Sequence, residues 1–170
     1  MPESRAAREH REHAPARVRV AVITVSDTRD EASDESGRIL RSGVEAAGHE
    51  LVRYAIVPDE TPAILGALED ALRAGADAVV TNGGTGVAQR DVTIEAVESL
   101  FEKEIEGFGE LFRRLSYDAL GSAAMLSRAV AGTYRGAAVF CLPGSPDAVQ
   151  LAWSQLIQPE LSHLVGLLRR

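Results

Sequence analysis

An α/β domain is predicted, a three-layer α/β/α sandwich around a mostly parallel central sheet, and three observations carry it. Apolar, β-branched runs alternate with amphipathic stretches in the order β-α-β-α-β. Each amphipathic stretch has start and stop residues where a helix needs them. The 170-residue chain is 45% hydrophobic, enough for one buried core.

Residues 1–16 are polar and charged, and are expected to form a mobile extension before a single domain at 17–170. "RVRVAVITVS" (17–26) reads as a strand buried on both faces. The next segment has Asp34 or Ser36 as cap, Leu40, Val44 and Ala47 at helical spacing, and Gly48 beyond its end. "LVRYAIVP" (51–58) is a second strand. A second helix follows, with Thr61 as cap, Pro62 at its first position, Leu65, Leu68 and Leu72 on one face and Gly75 after it. "DAVVT" (77–81) is the third strand. Such an order implies parallel pairing through right-handed crossovers.

The second half is less regular. Ile94, Val97 and Phe101 suggest a helix, and "GFGELFRRLSYDALGSAAMLSRA" one or two more with a break near Gly121. "AVAGTYRGAAVFCLPG" reads as two strands around a Tyr-Arg-Gly turn, the second at 137–142. Ser145 and Pro146 open a final helix whose stripe runs from Val149 through Trp153, Leu156, Leu161 and Leu164 to Leu168, with a kink at Pro159.

Composition excludes several functions. A net charge of −7 disfavours nucleic acid. No apolar run spans a bilayer and the opening residues lack a signal-type apolar region, so no membrane association and a cytoplasmic location are expected. The lone Cys141 rules out an intrachain disulfide, and His10, His13, His49 and His163 lack zinc spacing. Cys141 and Trp153 read as core residues, Trp153 also as a subunit contact.

In parallel sheets ligands bind beyond the carboxyl ends of the strands. Four such ends here carry polar or glycine-rich loops: "TVSDTRD", "VPDE", "TNGGTG" and "LPGSP". Gly83, Gly84 and Gly86, with Asn82 and Thr85, can present backbone N–H groups to an anion. The helix start near Asp91–Thr93 would add its dipole. A plain turn with Asp91 as helix cap would also account for the loop, and Asp59 could be a turn residue. Together, two carboxylates beside a phosphate site suggest a bridging Mg²⁺. Ser26 and Asp27 are turn formers or ligand contacts, and Ser127 beside Arg128 suits phosphate.

The motifs "TNGGTG…RDVT", "EGFGELFR", "LSRAVAG" and "LPGSP", with "VITVSDTR…DESG" and "VPDE", resemble the MoaB/Mog proteins of molybdenum cofactor biosynthesis. The likeness covers about residues 18–166 and lies nearer the protein-B branch. It implies a molybdopterin ligand and its adenylylation by Mg-ATP with release of pyrophosphate, ahead of molybdate insertion. It places the functional, Mg²⁺-holding aspartates at Asp59 and Asp91. The ligand loop falls at Asn82, Gly83, Gly84, Thr85 and Gly86, with Thr93 nearby, and the pterin-phosphate region at Ser127, Arg128, Pro143 and Gly144. It also implies a homotrimer or hexamer and the molybdate-insertion enzyme as a partner. A non-catalytic pterin carrier and a competence-damage-type nucleotide pyrophosphate hydrolase are the alternatives.

Overall fold

The computed structural model describes residues 14–170. Six strands form one sheet: β1 (Arg19–Val25), β2 (Glu50–Val57), β3 (Ala78–Asn82), β4 (Lys103–Glu104), β5 (Val130–Tyr134) and β6 (Ala137–Leu142), in the order β2-β1-β3-β6-β5-β4. β2, β1, β3 and β6 run parallel, while β5 is antiparallel to both its neighbours. The helices are α1 (Glu35–Ala46), α2 (Thr61–Arg73), α3 (Thr93–Glu98), α4 (Glu106–Leu120), α5 (Pro146–Ala152) and α6 (Gln158–Leu168).

Alternation along β1 explains the layers. Val18, Val20 and Val22 pack with Leu40, Val44, Phe112, Trp153 and Leu161 on the α1, α4, α5 and α6 face. Ala21, Ile23 and Val25 pack with Ile64, Leu68 and Val97 on the α2 and α3 face. The chain leaves β1 through α1 to reach β2, then returns over β1 through α2 to β3. Direction and face reverse together, so both crossovers keep one hand. The gap between β1 and β3 is therefore a topological switch point, with four loops above it.

Asp34 caps α1, accepting from the Gly37 N–H at 2.9 Å. Ser145 caps α5 through the Ala148 N–H, as expected. The hairpin turns on Arg135 and Gly136, with φ of 48° and 76°, the geometry of a two-residue turn whose twist matches the strands. Near Pro159 the helix loosens into a π-turn at Trp153–Ile157 before α6 begins, since proline lacks an N–H and crowds the carbonyl four residues back.

Several expectations are corrected. Thr61 lies inside α2, whose cap position is Glu60 with no side-chain cap, and the buried face is Ile64, Ala67, Leu68 and Ala71. The last turn predicted after residue 93 does not form: α3 stops at Glu98, and Phe101 instead fills the space beside Gly132. The edge strand β4, two residues long, gives too short a pattern to read. Residues 1–13 of the expected mobile extension lie outside the described residues. Ala14 and Pro15 are already half-buried beside Gly166 of α6, short of the predicted boundary at 17.

Candidate functional site

The loop after β3 turns back on two glycines, Gly83 and Gly84, whose backbone and surroundings exclude a side chain. Gly83 and Gly84 have φ of 98° and 65°. A Cβ on Gly83 would lie 2.2 Å from the Val25 carbonyl oxygen at the end of β1. A Cβ on Gly84 would fall 2.3 Å from Thr93 Oγ1 and 2.8 and 2.9 Å from the Asp59 carboxylate oxygens. On Gly86 it would meet Asp91 Oδ2 at 2.6 Å. The two predicted aspartates thus lean on two glycines of one loop.

Thr93 locks this turn, donating its hydroxyl to the Gly83 carbonyl at 2.9 Å and its N–H to the Gly84 carbonyl at 3.0 Å. Asp91 accepts from the Ala88 N–H at 3.1 Å, so it closes its own loop and does not cap α3. Asp59 Oδ1 faces the Val92 N–H at 3.4 Å. The Val92 and Thr93 N–H groups at the start of α3 are spent on these contacts, which leaves less of its dipole open to an anion than expected. The Gly83 N–H is likewise taken by the Leu142 carbonyl at 3.0 Å. No protein acceptor takes the Gly84, Thr85 or Gly86 N–H among the described residues.

Ser26 organises the loop after β1, accepting from the Thr28 and Arg29 N–H groups. Asp27 accepts the Asp59 N–H at 3.0 Å and a fork from Arg90 at 2.7 and 2.9 Å. The Arg90 fork, then the Asp59 N–H, hold the Asp27 carboxyl down at about 2. Asp59 behaves oppositely. Burial pushes its carboxyl up and the neighbouring Asp91 and Asp27 charges add to this, against the Val92 N–H.

Arg128 donates to the Gly86 carbonyl at 2.9 Å and pairs with Glu95, so it buttresses the loop from outside. Ser127 sits half-buried at the end of the 3₁₀ turn Gly121–Leu126. Pro143 and Gly144 form the short link from β6 to α5, and a Cβ on Gly144 would lie 3.1 Å from Gly83 Cα. The structure therefore gathers Ser26, Asp27, Asp59, Asn82, Gly83, Gly84, Thr85, Gly86, Asp91, Thr93, Arg128 and Gly144 around one crevice.

Sequence reasoning missed a buried relay beneath it. Asn82 Nδ2 donates to Thr24 Oγ1 at 2.9 Å, which donates to Asp34 Oδ2 at 2.6 Å; Tyr54 donates to the same oxygen at 2.7 Å. Because a carboxylate only accepts, the Thr24 proton points to Asp34 and Asn82 must present its N–H to Thr24. That leaves Asn82 Oδ1 buried and without a protein partner. Burial, then the Asp34 carboxylate, push the Tyr54 hydroxyl upward, so it stays a donor. Asp34 was legible only as a helix cap, and Thr24 and Tyr54 only as strand residues.

Arg29 and Ser36 were also missed; both donate to the Gly144 carbonyl, at 3.0 and 2.7 Å. A cavity of about 540 Å³ lies elsewhere, between α4 and the C-terminal helices, lined by Phe108, Leu111, Leu156, Ile157 and Leu164. Its walls are mostly apolar, with Gln155, Glu160 and His163 among the lining, and hold none of the glycine-loop residues or paired aspartates of the strand ends.

This is a doubly wound α/β domain that assembles a glycine loop and paired carboxylates at its switch point. A family model described as a probable molybdopterin binding domain matches residues 21–163. The chain belongs to this family, the MoaB/Mog proteins. It is 52% identical over 164 residues to molybdenum cofactor biosynthesis protein B of Bacillus subtilis (strain 168), covering 95% of this chain and 96% of that one. The crystal structure of a molybdenum cofactor biosynthesis protein B superposes with a TM-score of 0.89 at 50% identity, over 92% of this chain and 99% of that one. A tungsten cofactor synthesizing protein MoaB from Pyrococcus furiosus gives 0.85 at 42% identity, over 92% and 100%.

Proposed function

We propose that this protein acts in molybdenum cofactor biosynthesis, binding molybdopterin and adenylylating it with Mg-ATP. One observation carries the reading: Asp59 and Asp91 each occupy the space of a missing Cβ on the same anion-binding loop, at Gly84 and Gly86. The names of the similar proteins and the family's description support the pathway and the ligand.

A terminal phosphate oxygen of molybdopterin attacks the α-phosphorus of ATP, and the bond to pyrophosphate breaks. Such transfer depends on alignment and charge neutralisation more than on covalent help. The Gly84, Thr85 and Gly86 N–H groups hold phosphate oxygens; Thr93 keeps that turn rigid, and Asn82 is fixed from below by Thr24.

The carboxylates fit Mg²⁺. They are hard oxygen donors, and Asp59 is half-buried among like charges without an arginine fork of its own. Among the described residues no three acidic, histidine or cysteine side chains form a closed metal cluster. Two carboxylates with water and substrate oxygens suit Mg²⁺, which seldom takes an all-protein cage. When bound, the ion would neutralise charge on the phosphates and the departing pyrophosphate.

Self-association as a trimer or a hexamer belongs to the same proposal. It is supported by Leu111, Tyr117, Leu120, Met125 and Leu126, exposed along α4 and the turn after it. The adenylylated product would pass to the molybdate-insertion enzyme, in the cytoplasm where ATP is available. Among the described residues no helix is long and apolar enough to cross a membrane.

Incubation with molybdopterin and Mg-ATP tests the reading by detection of the adenylylated pterin. Asp91→Asn should abolish transfer and spare pterin binding. Binding without product from the unaltered protein would overturn catalysis in favour of a carrier, and hydrolysed nucleotide alone would favour a hydrolase.

A further inference from the structure

Among the described residues three arginines border the crevice, and their partners distinguish them. Arg90 spends Nε and one terminal nitrogen on Asp27. Arg128 is divided between the Gly86 carbonyl and Glu95. Arg29 is held differently. Its N–H rests on Ser26 Oγ at 3.1 Å, and one terminal nitrogen donates to the Gly144 carbonyl at 3.0 Å. The other lies 3.9 Å from Asp34 Oδ1. Asp34 already accepts from Gly37, Thr24 and Tyr54, so it anchors the guanidinium without consuming its fork.

The location matters as much as the spare donors. A Cβ on Gly144 would lie 3.8 Å from the Arg29 terminal nitrogen and 3.1 Å from Gly83 Cα. The guanidinium therefore sits beside the contact between the two glycine-bearing loops, at Gly83, whose chain neighbour Gly84 has an N–H without a protein acceptor among the described residues. Its side chain is 31% exposed, so one edge still faces outward. Asp27, Asp59 and Asp91 surround this crevice with negative charge, and a dianionic ligand needs a cation with hydrogen-bond donors to spare.

We propose that Arg29 grips the phosphate monoester of the bound pterin at the Gly83–Gly144 junction, its planar fork meeting two phosphate oxygens. This assignment rests on the molybdopterin reading above. Lysine would keep the charge but lose the fork.

Calorimetric titration with molybdopterin, without nucleotide, at pH 5.5 and 7.5 tests it, because a phosphate monoester gains its second charge near pH ~6. Arg29→Gln should weaken binding about 10- to 100-fold at pH 7.5, the range of a charge-assisted hydrogen bond. The unaltered protein should bind more tightly at pH 7.5 than at 5.5, and Arg29→Gln should flatten that preference. Arg29→Lys should fall between the two, and Arg114→Gln, exposed on α4, should match the unaltered protein.

Should Arg29→Gln melt early, Arg29→Lys decides, with the same loss of pH preference in weaker form. Unchanged affinity, or an equal loss at both pH values, overturns the assignment while leaving the molybdopterin reading intact. If the unaltered protein binds no molybdopterin, both fall together.

Discussion

Replacing Gly86 by alanine separates the position of Asp91 from the stability of the fold. The new Cβ would sit 2.6 Å from Asp91 Oδ2, and ordinary contact begins at 3.4 Å. Gly86 has no positive φ, so its backbone tolerates alanine, and the whole overlap falls on one carboxylate. Asp91 must swing away and give up the Ala88 N–H. For a partly exposed group that costs about 1 kcal/mol, or about 2–4 °C of melting temperature in a domain of this size. A displacement approaching 1 Å at a reacting centre costs on the order of 100-fold in turnover. The variant should melt within a few degrees of the unaltered protein and form adenylylated pterin about 100-fold more slowly at saturating substrates. Near-normal turnover would refute the placement of Asp91 in the reaction. A collapse in melting temperature of about 10 °C or more would refute the claim that the overlap is local.

Two further variants test the charge and the relay. Asp59→Asn should abolish transfer yet raise the melting temperature at pH 7, since burial and two neighbouring carboxylates disfavour the charged form of Asp59. A raised carboxyl weakens the fold as pH rises from the ordinary 3.8 through the folded value, so the gain should vanish in melts below pH 3.8. Thr24→Val would strand Asn82 Nδ2 in a buried site and cost about 2–3 kcal/mol, whereas Tyr54→Phe leaves Asp34 its Thr24 and Gly37 donors and should cost about 1 kcal/mol. Equal losses in denaturant titrations would refute the relay.

Much of this fold was legible because local signals and global architecture agree. The strand ends after Val25, Val57, Asn82 and Leu142 lie within a residue or two of where the apolar runs stop. Asp59 and Asp91 could be paired because each follows a parallel strand, and parallel strands bring their carboxyl ends to one edge. Arg29 escaped notice because the groups that position it, Gly144 and Asp34, depend on a contact between loops 115 residues apart. Tyr54 escaped for a related reason: a tyrosine on an edge strand looks like packing until the buried acid beneath its hydroxyl is known. The start of α3 misled in the other direction. A helix N-terminus reads as an open anion site, but here Asp59 and the Gly84 carbonyl face its first N–H groups.

That last point bears on how the site divides its labour. With the Val92 and Thr93 N–H groups engaged and the Gly83 N–H donated to Leu142, the amides of 84–86 and a bordering cation are what this loop still offers an anion. Of the bordering arginines, Arg90 is matched closely by Asp27 and Arg128 by Glu95, while Arg29 approaches Asp34 only at 3.9 Å. The Asp59 and Asp91 charges have no such match, which is the expected state of a site whose substrate arrives with its own metal. On the reading proposed above, the carboxylates would repel a bare nucleotide held at the glycine loop, so a preference for Mg-ATP over free ATP is the expected outcome. Titration with ATP in the presence and absence of Mg²⁺ checks this. Affinity should rise with the ion by about tenfold or more, equivalent to about 1.4 kcal/mol, and Asp59→Asn should narrow the difference. Equal affinity with and without the ion would mean that the acids serve the loop's structure alone.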